Sequence, residues 1–334
     1  MHRCISQRWM SINAQSTLKR AILFPGQGSQ YVGMGKELHD RYAVARQVFE
    51  EADQALGYDQ RALVFRGQQE VLKLTENAQP AILTTSIALL RVLQEDQVDL
   101  TNSGWFGLGH SLGEYTALVA AGSLSLTDAV RLVRLRGESM TRAVADRRTA
   151  MSALVVRKGK LNDLLESMQF LQAELPKEDH VSIANINSSF QVVLSGTSYG
   201  VDYASRALQA KRFAAKAVDL PVSAPFHCAL MQEAADVMQE ALTKVEIKMP
   251  LMPVISNVTA KPYTSTQAIL ERLVEQVVAP VQWERSIAYC KKQGVDDFLC
   301  IGPGKVLANL LKKEYPLDRI RTMNTVEDIP QCMD

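Results

Sequence analysis

The chain is poor in most of the features that mark a specialised class. It has five cysteines in 334 residues, Cys4, Cys228, Cys290, Cys300 and Cys332, and no Cys-x-x-Cys pair. That spacing suggests neither a disulfide framework nor a zinc site, so no metal is expected. No apolar run approaches the roughly 20 residues that span a bilayer, so no membrane span is expected. Net charge is only +1, which offers no basic footprint for nucleic acid. No internal repeat and no low-complexity tract is visible.

Acidic residues are missing from the start. The first is Glu37, whereas Arg3, Arg8, Lys19 and Arg20 precede it together with Ser6, Ser11 and Ser16. A basic, serine-containing, acid-free start without a continuous apolar core resembles a mitochondrial transit peptide rather than a secretory signal. Residues 1–18 are read as that leader, with the mitochondrial matrix as the expected location. The remaining totals are ordinary: 47% hydrophobic and 22% charged residues suit a soluble globular protein. The length allows one large α/β domain or two smaller ones.

The most informative stretch is Gly107 to Tyr115. Trp105-Phe106-Gly107-Leu108 reads as a buried strand, and the small apolar run Ala117–Ala120 reads as a helix. Between them Gly109, Ser111 and Gly113 form G-x-S-x-G, the pattern of a nucleophile elbow. A serine on a sharp strand-to-helix turn takes strained backbone angles, and neighbours without side chains let the turn close. The helix N-terminus behind it offers N–H groups to a developing oxyanion. By composition alone the pattern arises roughly 0.1 times in a chain this long, so the rest of the sequence has to agree with it.

A second loop, Pro25-Gly26-Gln27-Gly28-Ser29-Gln30, follows the strand Ala21–Phe24. Glycines on both sides of Gln27 leave its N–H exposed, as an oxyanion donor or a phosphate cradle requires. It is not a Walker loop, because no Gly-Lys-Ser/Thr follows. Residues 36–56 read as one amphipathic helix, and Gln79-Pro80 opens a nearly all-apolar one through Leu93. Leu126–Val144 is helical; its phase leaves Arg131 and Arg134 to solvent but turns Arg136 towards the apolar face, where a cation needs an anion.

The character changes at Thr149. Strands at Met151–Val156, Val181–Asn187, Gln191–Gly196 and Ala214–Val218 alternate with helices at 158–171 and 199–210. The order β-α-β-β-α-β fits a ferredoxin-like insertion. The expected division is 19–148 and 216–334 for the large domain and 149–215 for the insertion. Beyond it lie a helix from Leu230, strands at Met252–Ile255 and Asp297–Cys300, and a final helix opened by Gly302-Pro303-Gly304.

A serine nucleophile needs a base, usually histidine. There are five: His2, His39, His110, His180 and His227. His2 lies in the leader, His39 in a polar helix, and His180 beside Glu178-Asp179 in a surface loop. His110 adjoins the serine and is expected on the other side of the turn. His227 stands in an apolar, proline-defined segment and is the candidate base. No acid stands out to orient it; a backbone carbonyl could serve.

Six motifs now stand in order: Phe24-Pro25-Gly26-Gln27-Gly28-Ser29-Gln30, Gly109-His110-Ser111-Leu112-Gly113-Glu114-Tyr115, Arg136-Gly137, Phe226-His227-Cys228-Ala229-Leu230-Met231, Pro280-Val281-Gln282-Trp283 and Gly302-Pro303-Gly304-Lys305-Val306-Leu307. From about Lys19 to Leu311 the chain resembles the malonyl-CoA:acyl carrier protein transacylases and, with its basic leader, the mitochondrial type. The resemblance implies an α/β-hydrolase-like large domain with an inserted ferredoxin-like α+β subdomain. It implies Ser111 as nucleophile, His227 as base, and Gln276 as the residue whose main-chain carbonyl orients that base. It implies an oxyanion hole at the amides of Gln27 and Leu112, and Arg136 as the partner of the malonyl carboxylate. Asn185 or Asn187 is expected to face the incoming thiol. The substrates would be malonyl-CoA and the phosphopantetheine thiol of acyl carrier protein in fatty-acid synthesis, with no bound cofactor and a monomeric enzyme. Phe226 departs from the serine often found before this histidine; its ring occupies the space of an α-methyl group and so favours malonyl. A serine hydrolase, or a non-catalytic binding protein, are the rival readings.

Overall fold

The computed structural model describes residues 19–95, 104–144 and 147–329. The leader read at residues 1–18 lies outside the described residues. Two four-stranded sheets organise the rest. The first is parallel, with β1 (Arg20–Phe24), β2 (Trp105–Gly109), β7 (Asp297–Ile301) and β8 (Arg319–Met323) in the order β2-β1-β7-β8. The second is antiparallel, with β3 (Thr149–Val156), β4 (Val181–Ser188), β5 (Gln191–Thr197) and β6 (Ala214–Asp219) in the order β4-β5-β3-β6.

The continuous apolar runs of the first sheet follow from helices on both of its faces. Successive side chains of a strand point to opposite sides. Accordingly Ile22 and Phe24 enter one core with Leu299 and Ile301, while Ala21 and Leu23 enter another with Phe298 and Cys300. The helices Thr75–Glu95, Leu112–Ala120 and Leu126–Arg142 cover the first face. Trp283–Lys292 and Val306–Glu314 cover the second.

The second sheet has the β-α-β-β-α-β order expected of the insertion, with its helices Leu161–Ala173 and Ser198–Ala210 packed on one face. Its other face, with Met151, Ala184 and Val193, turns towards Leu220, Val222 and Phe226. β4 also bonds to the large domain, through Ile186 N to Val281 O at 2.9 Å and Val281 N to Ala184 O at 2.8 Å. This sheet is therefore a wall placed beside the elbow.

Several local expectations need correction. The helix read over 36–56 is two, Lys36–Arg41 and Ala43–Leu56, broken where Tyr42 takes an extended backbone. The apolar helix begins at Thr75, so Pro80 lies inside it. Proline has no N–H to give the Glu76 carbonyl; Arg134 Nη1 donates to that carbonyl instead, at 3.2 Å. Arg134, expected in solvent, therefore closes a gap in a neighbouring helix. Met252–Ile255 is not a strand: Pro253 cannot donate to a ladder, and the segment makes isolated bridges instead, Val254 with Gly107 and Ile255 with Pro262. Strand β6 continues to Asp219, past the boundary expected at 215. β8, which follows the last helix, was not expected.

Candidate active site

The elbow follows from two close backbone approaches. A Cβ on Gly109 would lie 1.8 Å from the Gly113 carbonyl, and one on Gly113 would lie 2.4 Å from Phe24 O. Only glycine fits at either position. Ser111 between them has φ 54° and ψ −110°, a strained backbone of the kind stored at functional sites. Asn257 braces the turn. Its Oδ1 accepts from Ser111 N at 2.8 Å and its Nδ2 donates to Gly109 O at 2.7 Å.

Four sequence-predicted residues meet here. Ser111 Oγ lies 2.7 Å from His227 Nε2. His227 Nδ1 lies 2.7 Å from the main-chain carbonyl of Gln276. A carbonyl only accepts, so Nδ1 carries the proton and Nε2 is a bare acceptor for the serine hydroxyl. Burial, and then the positive charge of Arg136, pushes the His227 imidazole down to about 3. The ring is thus neutral in the free site, as a base must be.

Arg136 is 2% exposed, as its helical phase required. Nη1 donates to Gln79 Oε1 at 2.9 Å; Nη2 donates to Gln276 Oε1 at 2.8 Å and to Ser111 Oγ at 3.1 Å. All of these partners are neutral, and Nε is buried without a partner. A cation so placed is an unfinished ion pair beside the nucleophile.

A cavity of about 320 Å³ opens on this group, lined among others by Gln27, Ser111, Leu112, Arg136, Phe226 and His227. The Gln27 side chain donates through Nε2 to Thr75 Oγ1 at 3.1 Å. Leu112 is the first residue of the elbow helix, where backbone N–H groups lack intrahelical partners. The two expected asparagines part company. Asn185 lines the cavity, whereas Asn187 does not. Asn187 gives its NH₂ to Gln191 Oε1 at 2.9 Å, so its oxygen faces His110 Nε2 at 2.8 Å. A register shift in β4 between Ile186 and Ser188 accompanies this separation. His110 is not turned away from the site as expected; it lines the same cavity and packs against Trp283.

Sequence reasoning missed Gln79, Asn257 and Glu114. Glu114 was visible in principle, as a charge in the helix Leu112–Ala120, whose residues 112–119 are all buried. Burial pushes its carboxyl up to about 7, against hydrogen bonds from Tyr263, Gln276 and Asn257 that favour the charged form.

This geometry has relatives. The family described as acyl transferase domain matches residues 22–332. The malonyl CoA-acyl carrier protein transacylase of Bacillus subtilis (strain 168) is 46% identical over 296 residues, covering 88% of this chain and 90% of that protein. That of Escherichia coli (strain K12) is 43% identical over 293 residues, covering 88% and 92%. Among solved structures, the acyl-carrier-protein-S-malonyltransferase from Bartonella henselae superposes with a TM-score of 0.88 at 40% identity, over 95% of this chain and 98% of that one. A type II PKS acyl-carrier protein in complex with its malonyl-transacylase gives 0.86 at 38% identity, over 94% and 99%. With its elbow, its carbonyl-oriented histidine and a match along nearly its whole length, the chain belongs to the acyl transferase family and, within it, to the malonyl CoA-acyl carrier protein transacylases.

Proposed function

We propose that the chain transfers a malonyl group from malonyl-CoA to the phosphopantetheine thiol of acyl carrier protein, through an ester on Ser111, supplying fatty-acid synthesis. The observation that carries this is Arg136: a buried guanidinium with an unpaired Nε, 3.1 Å from the nucleophile, completed by an acyl group that ends in a carboxylate.

His227 Nε2 takes the Ser111 proton as Oγ attacks the thioester carbon. The amides of Gln27 and Leu112 receive the oxyanion; one such donor is typically worth about 2.7–4 kcal/mol. The C–S bond breaks, and His227 returns the proton to the CoA thiolate. The carrier-protein thiol then gives its proton to His227 and attacks the ester, and Ser111 leaves with that proton. Burial depresses His227 most and the Arg136 charge next; the malonyl carboxylate offsets the second of these. Substrate binding thereby makes the base stronger. Phe226, at the cavity wall, supports malonyl over an α-methylated acyl group.

The test is malonyl transfer to holo carrier protein. Malonyl-carrier product supports the reading, whereas free malonate without carrier product means a hydrolase. The further reading is a monomeric enzyme of the mitochondrial matrix. The location rests on the basic, acid-free first 20 residues. A reporter fused behind those residues enters mitochondria if it is right and stays outside if it is wrong; light scattering checks the monomer.

A further inference from the structure

A buried carboxylate lies under the elbow, and the reaction above leaves it unused. Glu114 is fully buried. Its Oε1 accepts from Tyr263 OH at 2.5 Å and from the Asn257 backbone N–H at 3.0 Å. Its Oε2 accepts from Gln276 Nε2 at 2.7 Å. Gln276 Nε2 also donates to Ser111 O at 2.9 Å, and its Oε1 accepts from Arg136 Nη2 at 2.8 Å. We propose that Glu114 is a positioning residue, whose carboxylate locks the Gln276 amide with its oxygen towards Arg136 and so keeps the guanidinium aimed at the acyl carboxylate. The proposal rests on the transacylase reading of this site.

An amide has two orientations, and its oxygen and NH₂ exchange places between them. Flipped, Gln276 would set its oxygen against the Glu114 carboxylate and the Ser111 carbonyl, and its NH₂ against a guanidinium that can only donate. The ionised carboxylate excludes that state. The charged and titratable groups that bear on Glu114 are Arg136 from the helix Leu126–Arg142, Tyr263 from the segment before the helix Thr266–Val278, and Tyr115 from its own helix. The main-chain carbonyl that orients His227 belongs to the same Gln276, but it does not depend on which way the side-chain amide faces.

Glu114→Gln reverses the pattern without changing shape. Its NH₂ cannot sit at the Oε1 place, where a backbone N–H points at it. It therefore takes the Oε2 place and meets the Gln276 NH₂, and Gln276 has to turn over. Steady-state kinetics with malonyl-CoA and acetyl-CoA, from pH 5.5 to 8.5, read the outcome. In the wild type, kcat/KM for malonyl-CoA falls as the pH drops through about 7, mainly through KM, because protonated Glu114 no longer holds the amide. In Glu114→Gln that acidic limb is absent. At pH 8 the preference for malonyl over acetyl is about tenfold lower or more, the scale of one hydrogen bond to a charged group.

Tyr263→Phe is the second variant. It removes a donor to the charged carboxylate, so the acidic limb moves to higher pH. An unchanged malonyl preference with an unchanged limb in Glu114→Gln, or a limb that stays put in Tyr263→Phe, overturns the proposal. A merely structural role is seen as an equal loss for both acyl donors, and overturns it as well. A wild type with no malonyl transfer at any pH overturns the transacylase reading itself, a result that separates the two.

Discussion

Arg136→Ala tests how this site selects its acyl group. The guanidinium is 2% exposed and already holds the Gln79 and Gln276 amide oxygens, with Nε left over. A malonyl carboxylate entering the cavity can take two charge-assisted hydrogen bonds from this fixed fork. At about 1.5–3 kcal/mol each, they contribute about 3–6 kcal/mol. That is roughly 10²- to 10⁴-fold in kcat/KM at about 1.4 kcal/mol per factor of ten. Acetyl-CoA makes neither bond and leaves the buried cation unpaired, which is why a site of this kind rejects it. The substitution therefore lowers malonyl kcat/KM by that range, leaves acetyl transfer level or raised, and collapses the ratio. Arg136→Lys recovers part of the malonyl rate, since an ammonium supplies charge without the fork. The assay is single-turnover acylation with each acyl-CoA, beside a thermal melt to confirm folding. A malonyl-to-acetyl ratio within about threefold of the wild type refutes the reasoning, because two lost charge-assisted bonds cannot be that small.

Other outcomes follow from the same geometry. Gly113→Ala places a methyl group 2.4 Å from Phe24 O, where only backbone could yield; a loss of about 1–3 kcal/mol or more in urea unfolding is expected. Asn257→Ala strips the brace from Ser111 N and Gly109 O, and should cost stability of about 1–3 kcal/mol per unsatisfied group together with a fall in kcat. Stability against pH has opposing contributions from the site, and His110 and His180, also depressed by burial, act in the same sense as His227. His227 is depressed from 6.5 to about 3, so the unfolded chain binds more protons between those values and stability rises with pH there. Glu114 is raised from 4.5 to about 7, so the folded chain binds more and stability falls with rising pH there. Glu114→Gln removes the Glu114 contribution, and its urea midpoint should climb from pH 5 to 6.5 more steeply than the wild type's; parallel curves contradict the assignment.

What could be read in advance depended on how local each signal was. The elbow was legible because its glycines answer a steric demand within five residues. Arg136 was legible because helical phase alone turned it inward. His227 emerged because so few histidines compete with it. Gln276 left no signature of its own, since its contact with His227 is a main-chain carbonyl, and only the family resemblance pointed to it. Gln79 and Asn257 are joined to the site across long sequence separations, 57 residues for Gln79 with Arg136 and 146 for Asn257 with Ser111. No periodicity carries information over that distance. The fold was read wrongly where one residue overrode a pattern: Pro253 prevented a strand, Tyr42 broke a helix, and Arg134 allowed Pro80 inside one. Asn185 and Asn187, two apart on one strand, have different neighbours, and the register shift in β4 between Ile186 and Ser188 leaves no trace in the sequence pattern.

The proposed transfer passes the malonyl group between two thiols by way of Ser111. Intact mass after mixing with malonyl-CoA, without acceptor, tests it most directly, beside an acetyl-CoA control and Ser111→Ala. A malonyl adduct is expected on the wild type alone, absent from both controls and discharged when holo carrier protein is added. An adduct that persists in Ser111→Ala, or malonate released with no adduct trapped and none passed to the carrier protein, contradicts it.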